Sequence, residues 1–163
     1  MNRYLILIIL LVSLPLNAME LGLPTPGIVD KVHVSEGQEV SRGQALVSLD
    51  KDALLASRQA AKTMTEYLEL KIEEARREFE RNEELYDRGQ IADREYQNAK
   101  IAFAQARSEL ATARAELAQV DQQLRYSTLR APSAGKVSRL MAYPGMAVSN
   151  RLEITPLVEL TPK

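Results

Sequence analysis

The sequence predicts an α+β fold in which a small β-unit is assembled from two separated chain segments, with a long antiparallel α-helical coiled-coil hairpin inserted between them. Two observations carry this. The first is a repeat: Gly27-Ile-Val-Asp-Lys-Val-His-Val-Ser-Glu-Gly37-Gln-Glu-Val40 is answered by Gly135-Lys-Val-Ser-Arg-Leu-Met-Ala-Tyr-Pro-Gly145-Met-Ala-Val148, each copy with glycines ten residues apart and a valine three beyond the second. The second is the stretch between the copies. From roughly residue 53 to 124 it has no proline and a single glycine, Gly89, among Ala, Leu, Glu, Gln, Arg and Lys, the strong helix formers. A repeat split this widely reads as one β-unit with an insertion projecting from it.

The chain opens with Met1-Asn-Arg3, an apolar run from Tyr4 to Leu16, and Asn17-Ala18. A short basic start, an apolar run and a small residue form a secretory signal pattern, so residues 1–18 are expected to be a signal peptide cleaved after Ala18. The apolar run falls short of the roughly 20 residues that span a bilayer. An uncleaved segment tethering the chain to the inner membrane is the alternative. No cysteine is present among the 163 residues, which excludes disulfides, thiol catalysis, thiolate metal sites and lipid attachment through cysteine. A formal charge of -1 gives no general electrostatic handle for nucleic acid.

The first half of the β-unit is expected over residues 24–52. Val29, Val32 and Val34 approach a period of two, Glu36-Gly37 turns, Val40 resumes, Arg42-Gly43 turns again, and Ala45 to Leu49 follows. The second half, residues 126–160, offers Tyr126 to Leu129, Gly135 to Val137, the turn at Tyr143-Pro-Gly145 and Ile154 to Leu160. Arg151 stands where the first copy has Gly43, so the turn before the last strand lacks glycine's freedom at positive φ. Each half is too small to fold alone.

The hairpin is expected over 53–125. In its second arm the apolar seam is Tyr96, Ala99, Phe103, Ala106, Leu110, Ala113, Leu117, Val120 and Leu124, alternating steps of three and four. In the first arm the apolar spacing gives Ala61, Met64, Leu68, Ile72, Ala75, Phe79, Asn82 and Tyr86, whose two successive steps of four through Leu68 and Ile72 predict a stutter. Each arm should reach about 50 Å. Gly89 suits the left-handed residue that ends the first helix, and the second starts near Ala92 or Asp93. Ile91 is either a staple onto the second helix or a partner contact.

At this point the residues carry a family resemblance. Gly27 through Asp50 matches the pattern G-x-V-x-x-V-x-V-x-x-G-x-x-V-x-x-G-x-x-L-x-x-L-D, and Leu129-Arg-Ala-Pro-Ser-Ala-Gly135-Lys-Val137 matches L-x-A-P-x-x-G-x-V. These are the two half-motifs of the split lipoyl-like domain of the HlyD-type membrane fusion proteins, the periplasmic adaptors of tripartite efflux and secretion systems, which the chain resembles from about Pro24 to Leu160. The resemblance implies a lipoyl-like barrel-sandwich, a periplasmic location, and partners in a TolC-like outer-membrane channel and an inner-membrane RND or ABC transporter. It also implies a homo-oligomer, commonly a hexameric ring. Family members dock the hairpin tip on the channel through an arginine, a leucine four later and a serine seven after that. Arg81 and Leu85 match, whereas the serine position holds Ala92; with Gly89 and Ile91 these make the expected docking tip. Alanine there forfeits a helix cap, a role that Asp93 could assume one residue on. Typical adaptors continue into a β-barrel and a membrane-proximal domain, whereas this sequence stops at Lys163, as a minimal or a truncated, nonfunctional form would.

The rival readings are fewer in support. Ser48-Leu-Asp50-Lys51 resembles the lysine turn of lipoyl or biotinyl carrier domains, but the return strand comes only near Leu129, so Lys51 should enter a helix. A lone histidine, His33, placed between valines in a strand, reads as a surface or packing residue rather than a metal ligand, and Met141 and Met146 as core fillers. One histidine supports no Ser/His/Asp site, so no enzyme, cofactor or metal is expected. A purely structural envelope coiled coil is the remaining alternative.

Overall fold

A computed structural model describes residues 18–149 and 154–163. The signal-like segment before Ala18 and the Arg151 turn position lie outside the described residues. Ten elements follow in order: β1 (Met19–Gly22), β2 (Gly27–Val32), β3 (Glu39–Val40), β4 (Ala45–Leu49), α1 (Asp52–Asp87), α2 (Asp93–Tyr126), β5 (Thr128–Arg130), β6 (Gly135–Leu140), β7 (Ala147–Val148) and β8 (Pro156–Pro162).

The eight strands form two four-stranded sheets, ordered β1-β8-β6-β3 and β5-β4-β2-β7, with every pairing antiparallel. The two halves of the repeat do not make one sheet each. Gly27 and Ile28 of β2 pair with Val148 and Ala147 of β7, while Gly135 and Lys136 of β6 pair with Val40 and Glu39 of β3. Likewise β1 pairs with β8, and β5 with β4. Each sheet therefore draws strands from both sides of the hairpin, and neither half buries its apolar residues without the other. The shared core includes Leu23, Val29, Leu46, Val47, Val137, Leu157, Val158 and Leu160, all at most 2% exposed. Burying side chains of this size contributes about 1.5–3 kcal/mol each.

The repeat's glycines serve two different purposes. Gly37 and Gly145, the second of each copy, sit at φ +80° and +86° in turns, where a side chain would strain the backbone. Gly27 and Gly135, the first of each copy, instead allow close approach. A Cβ on Gly27 would come within 3.0 Å of Leu49 Cδ1, and one on Gly135 would overlap the Thr161 carbonyl oxygen.

One strand lies outside the expected range. β1 precedes Pro24, and its Leu21 and the following Leu23 enter the core beside β8. The second half has its equivalent in β5, with Leu129 and Ala131 buried at the same offset from Gly135 as Leu21 and Leu23 from Gly27. His33 falls just past the end of β2 rather than within a strand; it is exposed, and its Nε2 lies 2.8 Å from Ser48 Oγ. Met146 packs against the sandwich core.

The hairpin arms are 36 and 34 residues long, or about 50 Å each at 1.5 Å per residue. All the expected seam residues of α2 are buried or half-buried. In α1 the structure departs from the apolar pattern: Met64 is 49% exposed and Thr65 is 7% exposed. The seam runs Ala61, Thr65, Leu68, Ile72, Ala75, Phe79, Asn82, Tyr86, which alternates four and three without a stutter. Threonine can hold this place because its Oγ1 donates to the Ala61 carbonyl at 2.9 Å, leaving no unsatisfied hydroxyl. Leu68 then packs against Leu110 and Ala113, with Ile72 alongside. Cross-arm pairs Arg58–Asp121, Lys71–Glu109 and Arg114–Glu69, at 2.6, 2.6 and 2.7 Å, flank the seam.

Candidate functional site at the hairpin tip

At the far end of the hairpin α1 ends in a Schellman motif. The Gly89 N–H donates to the Tyr86 carbonyl and the Gln90 N–H to the Leu85 carbonyl, both at 2.8 Å, with Gly89 at φ +68°. Those bonds satisfy carbonyls that a helix end leaves open and turn the chain back within a few residues. Ile91 is half-buried directly before the α2 N-cap, with Tyr96 at the fourth helical position, the two places of a hydrophobic staple.

Ala92 is the N-cap of α2, extended at φ -75° and ψ 150°, and no side chain caps the helix. Asp93 does not assume that role. It is the first helical residue, and its carboxylate accepts from Gln97 Nε2 at 3.5 Å. The Ala92 carbonyl accepts the Glu95 N–H at 3.0 Å, so the helix begins on backbone bonds alone. Asp93 and Glu95 in the first turn suit the positive end of the helix dipole.

The expected tip residues thus divide. Gly89, Ile91 and Ala92 belong to the turn itself, and Leu85 to the last turn of α1, where its carbonyl accepts the Gln90 N–H. Arg81 lies one helical turn back on α1, exposed, and its Nη1 donates to Glu78 Oε2 at 2.9 Å. Arg81 and Leu85 share one helix face by their spacing of four. Gln90 and Arg94 are also exposed here, as is Arg88, which reaches Glu84 at 3.6 Å. Their polarity was in the sequence, but only the position of the turn makes them terminal.

Under the tip an aromatic ladder joins the arms. Tyr86 stacks on Tyr96 with centroids 4.8 Å apart, Tyr96 meets Phe79 at 5.9 Å, and Phe79 stacks on Phe103 at 5.7 Å. Aromatic pairs at such distances add about 0.5–1.5 kcal/mol each beyond burial. The turn is therefore presented on a braced end rather than on a fraying one.

Elsewhere, chemistry-bearing groups are sparse. Among the described residues no group of three His, Asp or Glu could hold a metal ion, and no helix is long and apolar enough to cross a membrane. Lys51 is the N-cap of α1, and its Nζ donates to Thr128 Oγ1 at 2.6 Å.

Residues 19–158 match the family described as CzcB-like, barrel-sandwich hybrid domain. No curated protein sequence matches the chain. Among solved structures, the membrane fusion protein Spr0693 of Streptococcus pneumoniae R6 superposes with a TM-score of 0.68 at 22% identity, over 90% of this chain and 59% of its own. ZneB of Cupriavidus metallidurans gives 0.63 at 23% identity, covering 89% and 60%. A MacA–MexA chimera carrying the Pseudomonas aeruginosa MexA α-hairpin domain gives 0.57 at 20%, covering 90% and 48%. The chain spans between 48% and 60% of the length of these three proteins. At such identities they establish the fold: a split sandwich with a hairpin between its halves.

Proposed function

The chain belongs to the CzcB-like barrel-sandwich hybrid family of membrane fusion adaptors, and from that premise we propose that it is a periplasmic adaptor subunit linking an inner-membrane RND or ABC transporter to a TolC-like outer-membrane channel. Adaptors of this family are not enzymes, and neither is this chain. Export or secretion of substrate is the work of the assembly; this subunit supplies reach and contact.

The observation that carries the reading is the braced tip: a tight Schellman turn about 50 Å from the sandwich, held by the aromatic ladder, with Arg81, Leu85, Gly89, Ile91 and Ala92 at or near its end. A structure serving only as a spacer has no need of an ordered, polar end. In this reading Arg81 and the exposed turn meet the channel, and Leu85 and Ile91 set the shape of the turn. Cleavage after Ala18 leaves β1 intact, since that strand starts at Met19.

Site-specific photocrosslinking from Gln90 in intact cells tests this. Capture of an outer-membrane channel is the expected result. Crosslinks confined to copies of the chain itself would replace the adaptor reading with a structural envelope coiled coil.

A further inference from the structure

At the other end of the hairpin, where it joins the sandwich, a cleft of ≈ 650 Å³ is lined by Lys51, Arg58, Asp121, Leu124, Arg125, Thr128 and Arg130. Four cations face one carboxylate. Asp121 is engaged by Arg58, with Oδ1 2.6 Å from Nε. The other three cations have no carboxylate partner within ion-pair distance among the described residues: Lys51 bonds only the Thr128 hydroxyl, Arg130 bonds the Gly43 carbonyl at 2.9 Å, and Arg125 makes no ion pair. Asp30, Asp50 and Asp52 line an adjoining cleft that shares Lys51 and also holds Lys31.

We propose that this cleft binds a phosphate oxyanion. Two guanidinium forks and an ammonium around one opening suit a multivalent oxyanion better than a single carboxylate, because guanidinium groups bind phosphate bidentately and each added cation meets another oxygen. The four cations come from the α1 N-cap, α1, α2 and β5. A bound phosphate would tie both arms to the sandwich and fix the angle at which the hairpin leaves it. Sandwich and hairpin meet here through short connections, Leu49 to Asp52 and Tyr126 to Thr128, bridged by the Leu49 N–H to the Ser127 carbonyl and by Lys51 to Thr128, and such a tie adds to those bonds.

Two sources supply this chemistry, a soluble phosphate compound and a phospholipid headgroup, and two arms of one experiment separate them. Calorimetry at low salt measures inorganic pyrophosphate binding to the purified chain; flotation measures its attachment to phosphatidylcholine vesicles with and without phosphatidic acid. An Arg125→Gln/Arg130→Gln variant is compared with Arg76→Gln/Arg77→Gln, which removes equal charge from the hairpin flank, and circular dichroism verifies that both fold. The expected result is pyrophosphate binding weakened at least roughly tenfold by the first pair and unchanged by the second. Flotation that needs phosphatidic acid, is lost with the first pair and is retained with the second, without pyrophosphate binding, assigns the site to a headgroup. Binding to neither probe, or equal losses in both variants, overturns the proposal. None of these readouts involves a channel, so the test stands apart from the adaptor assignment.

Discussion

Gly135→Ala is a sharp test of how the sandwich closes. Gly135 is buried at the start of β6, paired with Pro162 of β8 on one side and Val40 of β3 on the other. An added Cβ overlaps the Thr161 carbonyl oxygen and stands 3.1 Å from its carbon and 3.2 Å from Leu160 Cγ. A comfortable carbon–oxygen separation is about 3.3 Å or more, so the β8 backbone must retreat. It has little room, because Leu157, Val158 and Leu160 of that strand are 0% exposed. Overpacking against backbone in such a place costs about 3 kcal/mol, the upper part of the usual range. Gly145→Ala is the comparison: φ is +86°, and no heavy atom lies within 4 Å of the added carbon. Only the left-handed conformation is penalised there, at about 1 kcal/mol. Urea unfolding should rank the variants in that order, and hydrogen exchange of β6 and β8 amides should rise roughly 100-fold in Gly135→Ala. If Gly145→Ala proves the more damaging, or Gly135→Ala is within about 0.5 kcal/mol of the parent, the close-approach account is wrong.

Three further outcomes are expected. Leu68→Ala, in the hairpin core, should cost about 3 kcal/mol in thermal unfolding followed at 222 nm, and half-exposed Met64→Ala less than about 1 kcal/mol; equal losses would return Met64 to the seam and restore the stutter. Ala92→Ser should raise the melting temperature by supplying the missing cap, with Glu95 three residues on to complete a capping box, for a gain of about 1 kcal/mol; an unchanged melting temperature would mean that the exposed turn already meets its bonding needs in water. The Glu39 carboxyl is held below its usual range by the hydrogen bond and charge of Lys163, 2.8 Å away, and by the charge of Lys136. Because its folded-state pKa is lowered, the stabilisation is present above the ordinary carboxylate range and is lost as pH falls through that lowered value. Lys163→Gln should therefore move Glu39 upward in an NMR titration, and a curve that does not shift would show the pair absent in solution.

Much of this architecture was legible in the chain, for a physical reason in each case. The α2 seam could be read because apolar residues recur in alternating steps of three and four without interruption from Tyr96 to Leu124, with alanine at every second place as far as Leu117. The α1 seam misled at one position, since hydrophobicity favours Met64 whereas heptad geometry, together with a hydroxyl satisfied by its own helix, seats Thr65. β1 is hard to read because its residues adjoin the signal-like segment and carry one core leucine, Leu21, with Leu23 just beyond. A signal for it was nevertheless present: Leu21-Gly-Leu23-Pro24-Thr-Pro-Gly27-Ile-Val29 parallels Leu129-Arg-Ala131-Pro132-Ser-Ala-Gly135-Lys-Val137. At the tip, Gly89 announced the turn, but which side chain caps α2 depends on backbone angles that composition does not contain; Asp93 lies one residue too late. The basic cleft was invisible because Lys51, Arg58, Arg125 and Arg130 converge only once the hairpin has closed.

The exchange of strands between the two halves has a consequence for how the molecule acquires its shape. While the hairpin is being made, β2 and β4 have only each other; β4 still lacks β5, β3 lacks β6, β2 lacks β7 and β1 lacks β8. Bringing Leu49 back to Thr128 as a free loop of roughly 80 residues would cost about 4 kcal/mol in chain entropy. Zipping the heptads from the Gly89 turn toward the base replaces that one long search with a series of local steps, and delivers β4 and β5 side by side. The hairpin is thus the folding guide of the sandwich, as well as its projection.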